Sequence, residues 1–326
     1  MLTTTNTDAN PKPHVSAAKF RFHFEEAGIL AALVVLCVVL SIFNPKFLTF
    51  NNIVNVLRQI FQVGILGVGM AYVIITGGID LSIGSTIALG GVITAQLTMM
   101  GMPVWVSFLA ALLVGAIVGS VNGLMIVNLN INAFITTMAM MNIIKGVAYL
   151  ITEGMPISFS TSLNFLGGGS IAGIPFPIFV MVAILIAGHI VLKKTVFGKS
   201  IFAVGGNERY AKLSGINVAK TKVCVYGILG CLGALVGVMT ASNLKIADTA
   251  AGSGSEMDVI AAVVIGGTSM SGGKGSITGV LIGAAIMGVI RNGFVLLKLS
   301  SYLQMISIGA VIVIAVTLDQ FKKRSK

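Results

Sequence analysis

Residues 193–222 read KKTVFGKSIFAVGGNERYAKLSGINVAKTK, and this stretch decides the fold. It carries seven basic residues (Lys193, Lys194, Lys199, Arg209, Lys212, Lys220 and Lys222) against one acid, Glu208. Apolar runs at roughly 174–193 and 220–243 flank it, each long enough to cross a bilayer. A basic segment between two such runs must lie in water, and its charge assigns that water to the cytoplasmic side. The segment also encodes a short helix. Asn207 suits the N-cap, Glu208 complements the first turn, residues 208–214 supply about two turns, and Gly215 suits the left-handed position after the end. A helix this short is marginal in water and persists only when packed. A groove on another protein is one partner for it; the surface of its own membrane domain is the other.

Working outward, 56% of the 326 residues are hydrophobic and 10% are charged. Soluble domains carry about a quarter charged residues, so the class is an all-α polytopic membrane protein. Hydropathy predicts about ten crossings, some broken or re-entrant, near 28–43, 53–76, 82–100, 104–127, 131–151, 174–193, 220–243, 255–268, 275–298 and 301–319. The membrane domain therefore spans 28–319, with 194–219 as its cytoplasmic loop. A polar tail, 1–27, precedes it without a signal-peptide layout, and a basic tail, 320–326, follows. Both termini are expected in the cytoplasm. That orientation places fifteen of the 21 lysines and arginines inside: three in the first tail, seven in the long segment, Lys274, and four in the last tail. The net charge of +11 then reflects membrane orientation, and no nucleic-acid partner is expected. Cys37, Cys224 and Cys231 lie in apolar segments with neither disulfide nor metal spacing.

Two glycine breaks interrupt the oily pattern. Gly77-Gly78-Ile79-Asp80-Leu81-Ser82 echoes Gly266-Gly267-Thr268-Ser269-Met270-Ser271, and Gly272 and Gly273 extend the second. Transport pathways are often built from broken helices at corresponding places in two halves. Asp80 is expensive within a membrane unless hydrogen-bonded. Its preferred role is to cap the helix that follows; a proton or ion relay is the alternative. Glu256 and Asp258 complement the dipole of the helix they open. Arg58, Gln59, Gln62, Asn122, Asn132, Asn142, Lys145 and Asn292 either line a polar route or bond between helices, and Arg291 and Lys298 can snorkel. Gly273-Lys274 is not a phosphate loop, because Thr268 and Gly275 stand where that motif needs Gly and Ser or Thr. No catalytic residue, cofactor or metal is assigned to this chain.

Four stretches together, TGGIDLSIGS (76–85), AVGGNERYAKLSGINVAKTK (203–222), GSEMDVIAAVVIGGTSMSGGKGSITGVLIGA (254–284) and SSYLQMISIGAVIVIAV (300–316), resemble the permease subunit of ribose-type sugar ABC importers. The resemblance covers the chain after its first tail. It implies a homodimer in the bacterial inner membrane, a cytoplasmic ATPase with two fused nucleotide-binding cassettes, and a periplasmic sugar-binding protein. ATP and Mg would be bound by the ATPase partner. The sugar implied is D-allose or D-ribose. The family's coupling segment falls on Gly205, Gly206, Asn207, Ala211, Ser214, Gly215 and Ile216, while Arg209 and Tyr210 stand where relatives often have small residues. The competing class is an ion-coupled secondary transporter, which would need titratable groups near the midplane; Asp80 and Lys145 are its candidates.

Overall fold

The computed structural model describes residues 24–158 and 162–324; the tail up to residue 23 and the last two residues of the basic tail lie outside them. In chain order the elements are α1 (Phe24–Phe43), α2 (Phe50–Ile75), α3 (Ile83–Met99), α4 (Val104–Asn128), α5 (Ala133–Thr152), β1 (Ile157–Ser158), α6 (Asn164–Gly168), β2 (Ser170–Ile171) and β3 (Ile174–Pro175). They continue with α7 (Phe176–Lys194), α8 (Val196–Gly206), α9 (Glu208–Leu213), α10 (Val218–Leu244), β4 (Ile246–Ala247), α11 (Ser255–Ile265), α12 (Ile277–Leu296) and α13 (Ser301–Arg324). The all-α class is as expected, with one difference in the connecting segment 194–219. Six helices, α2, α4, α5, α7, α10 and α12, are long and apolar enough to cross a membrane, whereas α1, α3 and α13 carry shorter apolar stretches. Residues 196–206, read as connecting loop, form the helix α8.

Helix α2 lies at the centre, with Ile65, Leu66, Met70, Val73, Ile74 and Ile75 almost wholly buried. It packs on α12, α10, α7 and α11, and α10 also lies along α4 and α3. Small residues permit this closeness. Gly115, Gly119 and Gly123 place one bare face of α4 against the α10 backbone, and a Cβ at Gly123 would stand 2.7 Å from the Val223 Cα. Without water to drive helices together, such backbone approach is what holds a membrane bundle. The periphery is oily instead: Val34, Val38, Ile42, Leu113, Ile117 and Ile186 are exposed. An apolar sheath around a core holding the polar side chains is the arrangement a bilayer demands.

The strands fix the ends of the bundle. β1 pairs antiparallel with β4, so the segment that follows α5 and the segment that follows α10 meet at one end. Ser242 Oγ donates to the Leu163 carbonyl at 2.6 Å and accepts from the Gly167 amide at 3.0 Å, fastening α6 there. α7 and α10 each run the length of the bundle from this end, which puts α8 and α9 at the opposite, basic end.

Candidate coupling site

The basic end is built on two joined helices. Thr195 starts α8, accepting from the Gly198 amide at 3.1 Å and donating to the Val191 carbonyl at 2.6 Å. Ile201 and Val204 bury one face of α8 against the bundle. Asn207 ends α8 and caps α9, its Oδ1 accepting from the Tyr210 amide at 3.1 Å. At the far end the Gly215 amide bonds the Lys212 carbonyl at 3.1 Å and the Ile216 amide bonds the Ala211 carbonyl at 3.0 Å. This is a Schellman closure with Gly215 at φ +80°, so both predicted ends of α9 are present. Ala211 is buried beneath it and Glu208 is paired with Lys222 of α10. Tyr210 and Leu213 stand 70% and 76% exposed, an apolar pair turned away from the chain's own core. Beside them a groove of about 710 Å³ runs between the end of α4 (Ile126, Val127) and α9, with Arg209 and Lys212 on its wall.

The two glycine breaks converge beneath this element. α2 and α11 end on the same closure. The Gly77 and Gly78 amides bond the Ile74 and Val73 carbonyls, and the Gly267 and Thr268 amides bond the Val264 and Val263 carbonyls. The structural echo therefore pairs Gly77 with Gly267, one residue away from the register suggested by the glycine pairs. The Gly273 amide donates to the Ile75 carbonyl at 2.8 Å, tying the second break to the end of α2. Gly205, in the last turn of α8, sits against both: an added Cβ would overlap the Ile75 oxygen and stand 2.6 Å from the Gly273 nitrogen. Gly272 is equally confined, its Cβ position lying 2.8 Å from the Gly205 oxygen and 3.2 Å from the Gly77 nitrogen. Gly205, Gly77, Gly272 and Gly273 thus meet, whereas Gly266 packs elsewhere, on Gly279 of α12. Gly206 adjoins Gly273, while Ser214 and Ile216 belong to the closure of α9.

Above the first break lies a buried polar cluster. Asp80 is 2% exposed; its Oδ1 accepts from the Ser82 amide at 2.8 Å and from the Ser82 hydroxyl at 2.6 Å. Asn122 of α4 donates to Asp80 Oδ2 at 3.3 Å and to Ser82 Oγ at 2.8 Å. Tyr226 of α10 donates to the Ile79 carbonyl at 3.1 Å. Asp80 therefore organises the turn that leads into α3, while the N-cap position itself is Ser82. Four other polar residues bond as follows: Asn292 exchanges two hydrogen bonds with Asn52, Gln62 donates to Thr240, Asn132 caps α5, and Asn142 donates to its own helix at Met138. Arg291 does not snorkel but pairs with Asp258, a partnership the sequence reading missed because 33 residues separate them. Tyr226 and Ile75 were missed as well. An apolar helix position carries no local sign that its hydroxyl or carbonyl will be used elsewhere. Among the described residues no group of His, Cys, Asp and Glu has a metal-binding arrangement.

Comparison with known proteins follows the same outline. A family model described as branched-chain amino acid transport system / permease component matches residues 52–316. The chain is 41% identical over 306 residues to the ribose import permease protein of Haemophilus influenzae, covering 92% of this chain and 94% of that one. It is 42% identical over 303 residues to the ribose import permease protein of Escherichia coli strain K12, covering 91% and 94%. The L-arabinose transport system permease protein of the same strain is 35% identical over 326 residues, covering 100% and 99%. No solved structure matches.

Proposed function

The chain belongs to the permease components of branched-chain amino acid transport systems, and within them to the ribose-type sugar ABC permeases; from that premise we propose that it carries D-ribose or D-allose across the bacterial inner membrane. The observation that carries the reading is similarity to two ribose import permeases along nearly the whole chain, at higher identity than to the L-arabinose permease. A monosaccharide is neutral, which fits a core whose polar groups are chiefly amides and hydroxyls.

In this reading the basic end faces the cytoplasm, the β1–β4 end faces the periplasm, and both termini are cytoplasmic. Two copies of the chain form the channel. A loaded sugar-binding protein docks at the strand-joined loops. An ATPase with two fused cassettes holds ATP and Mg and grips α9 through Gly206, Asn207, Ser214 and the exposed Tyr210 and Leu213. Closure of the cassettes moves α8 and α9, and the bundle passes from inward to outward opening. Sugar gains direction because its affinity and exposure differ between those two states. No ATP is hydrolysed by this chain.

The test is uptake into proteoliposomes holding the chain, its ATPase and its binding protein. ATP-dependent accumulation of labelled ribose or allose is expected. Accumulation driven by a proton gradient with no ATPase present overturns the proposal in favour of an ion-coupled carrier. Labelling of Lys199 or Lys212 from outside intact cells would overturn the orientation.

A further inference from the structure

We infer that Gly205 is the positioning residue through which movement of the coupling element reaches both helix breaks at once, by way of its seat between the Ile75 carbonyl and the Gly273 amide. The inference rests on the proposed function. α8 is anchored at both ends. Its first turn is held by Thr195 and by Gly198, which lies against the Val191 and Leu192 carbonyls. Its last turn bears on the Ile75–Gly273 hydrogen bond. Between them Ile201 and Val204 are fully buried against the bundle, and Asn207, which ends α8 and caps α9, joins the two helices directly. Three backbones from separate parts of the chain meet without an intervening side chain. A push at such a contact cannot be absorbed by a rotamer change; it must displace α2, the second break, or both.

The two breaks are connected here by one main-chain hydrogen bond, at 2.8 Å. Gly77, at φ +79°, and Gly273, at φ +73°, flank it in conformations that only glycine adopts freely. The bond therefore lies between two compliant points, where a rigid lever would act. Of the residues to which the proposed function assigns ATPase docking, Gly206 adjoins Gly273, whereas Tyr210 and Leu213 lie on the exposed face of α9. Substitution at Tyr210 or Leu213 therefore probes docking, and substitution at Gly205 probes transmission.

The experiment compares Gly205→Ala with Gly146→Ala, whose added methyl meets nothing within 4 Å on α5. Both are assembled with the ATPase and binding protein in proteoliposomes. In Gly205→Ala, sugar uptake per ATP hydrolysed is expected to fall by about tenfold or more, because the methyl forces the three backbones apart. Gly146→Ala should match the parent. A second measurement needs no variant: hydrogen exchange of the assembled parent complex, with and without trapped ATP. Peptides containing Gly273 should change protection while the Asp80–Ser82 turn does not. Normal coupling in Gly205→Ala overturns the inference. So does exchange at Gly273 that is unchanged by ATP, the outcome that still decides if Gly205→Ala fails to fold. Failure of the parent to take up sugar with ATP would instead sink the proposed function.

Discussion

The two helix breaks start alike and finish differently. α2 and α11 both end on a glycine in the left-handed region, Gly77 at φ +79° and Gly267 at φ +86°, with the same pair of closing hydrogen bonds. After the first, the chain turns into the bundle, and Asp80, Leu81 and Ser82 are buried around a carboxyl group with three hydrogen bonds. After the second, the chain folds on itself. The Ser269 amide bonds the Lys274 carbonyl at 3.1 Å, the Gly272 amide bonds the Ser269 carbonyl at 3.0 Å, and Ser271 and Lys274 are exposed. One backbone motif therefore supports a buried turn locked by side chains and a more exposed loop whose main chain closes on itself. A buried, fully bonded polar network rigidifies its surroundings. The second break has no enclosed carboxyl group, and its Ser271 and Lys274 face solvent; exposed backbone of that kind opens at lower cost.

The comparison is most directly broken at Asp80. Asp80→Ala strands the Ser82 amide, the Ser82 hydroxyl and one Asn122 bond, and should destabilise the protein by about 3 kcal/mol. Met270→Ala, at the corresponding place in the second break, should cost about 1 kcal/mol for its partly buried side chain. Thermal unfolding in detergent, followed by size-exclusion chromatography, measures both; equal losses would remove the distinction. Next in size is Gly78→Ala, whose methyl would stand 2.5 Å from the Tyr226 hydroxyl oxygen. A loss of about 2 kcal/mol is expected from overpacking. Adding Tyr226→Phe should restore part of it, since the obstructing oxygen is gone, and a non-additive double-mutant cycle would establish the contact.

Gly77→Ala and Gly267→Ala should cost about 1 kcal/mol each and nearly the same amount, because the strain lies in the shared backbone conformation. Unequal melting shifts would mean that the two closures are not equivalent. The smallest effect belongs to Thr268→Val. The Thr268 hydroxyl is buried with no hydrogen-bond partner among the described residues, so its loss should change stability by less than about 0.5 kcal/mol. Ser82→Ala, at a hydroxyl that both donates and accepts, should cost about 1–2 kcal/mol in the same assay.

Much of this was legible in the chain. Asn207 and Gly215 announced α9 because capping is a local matter, decided by residues within one turn of each other. The glycine pairs announced the breaks for the same reason. α8 was not legible, because VFGKSIFAVGG carries apolar residues at helical spacing between lysines and glycines that also suit a loop. The register of the echo was misjudged because glycine identity does not say which member takes the positive φ. Among the polar residues, Asn122 and Asn292 were open to lining a polar route or to bonding between helices, and no partner was legible for either. Asp258 reads as complementing a helix dipole and Arg291 as snorkelling, although they face each other across two helices.

Composition, span length and the placement of lysines and arginines determined by themselves that this is a bundle of membrane helices with one basic connecting segment. Those properties follow from the transfer of each stretch between water and hydrocarbon, which depends on residue type and little on neighbours. Only the tertiary structure decided that Gly205, Ile75 and Gly273 share one point and that Asp80 is enclosed by Ser82 and Asn122. Such meetings depend on how closely whole helices approach, and that distance is set by packing among residues far apart along the chain.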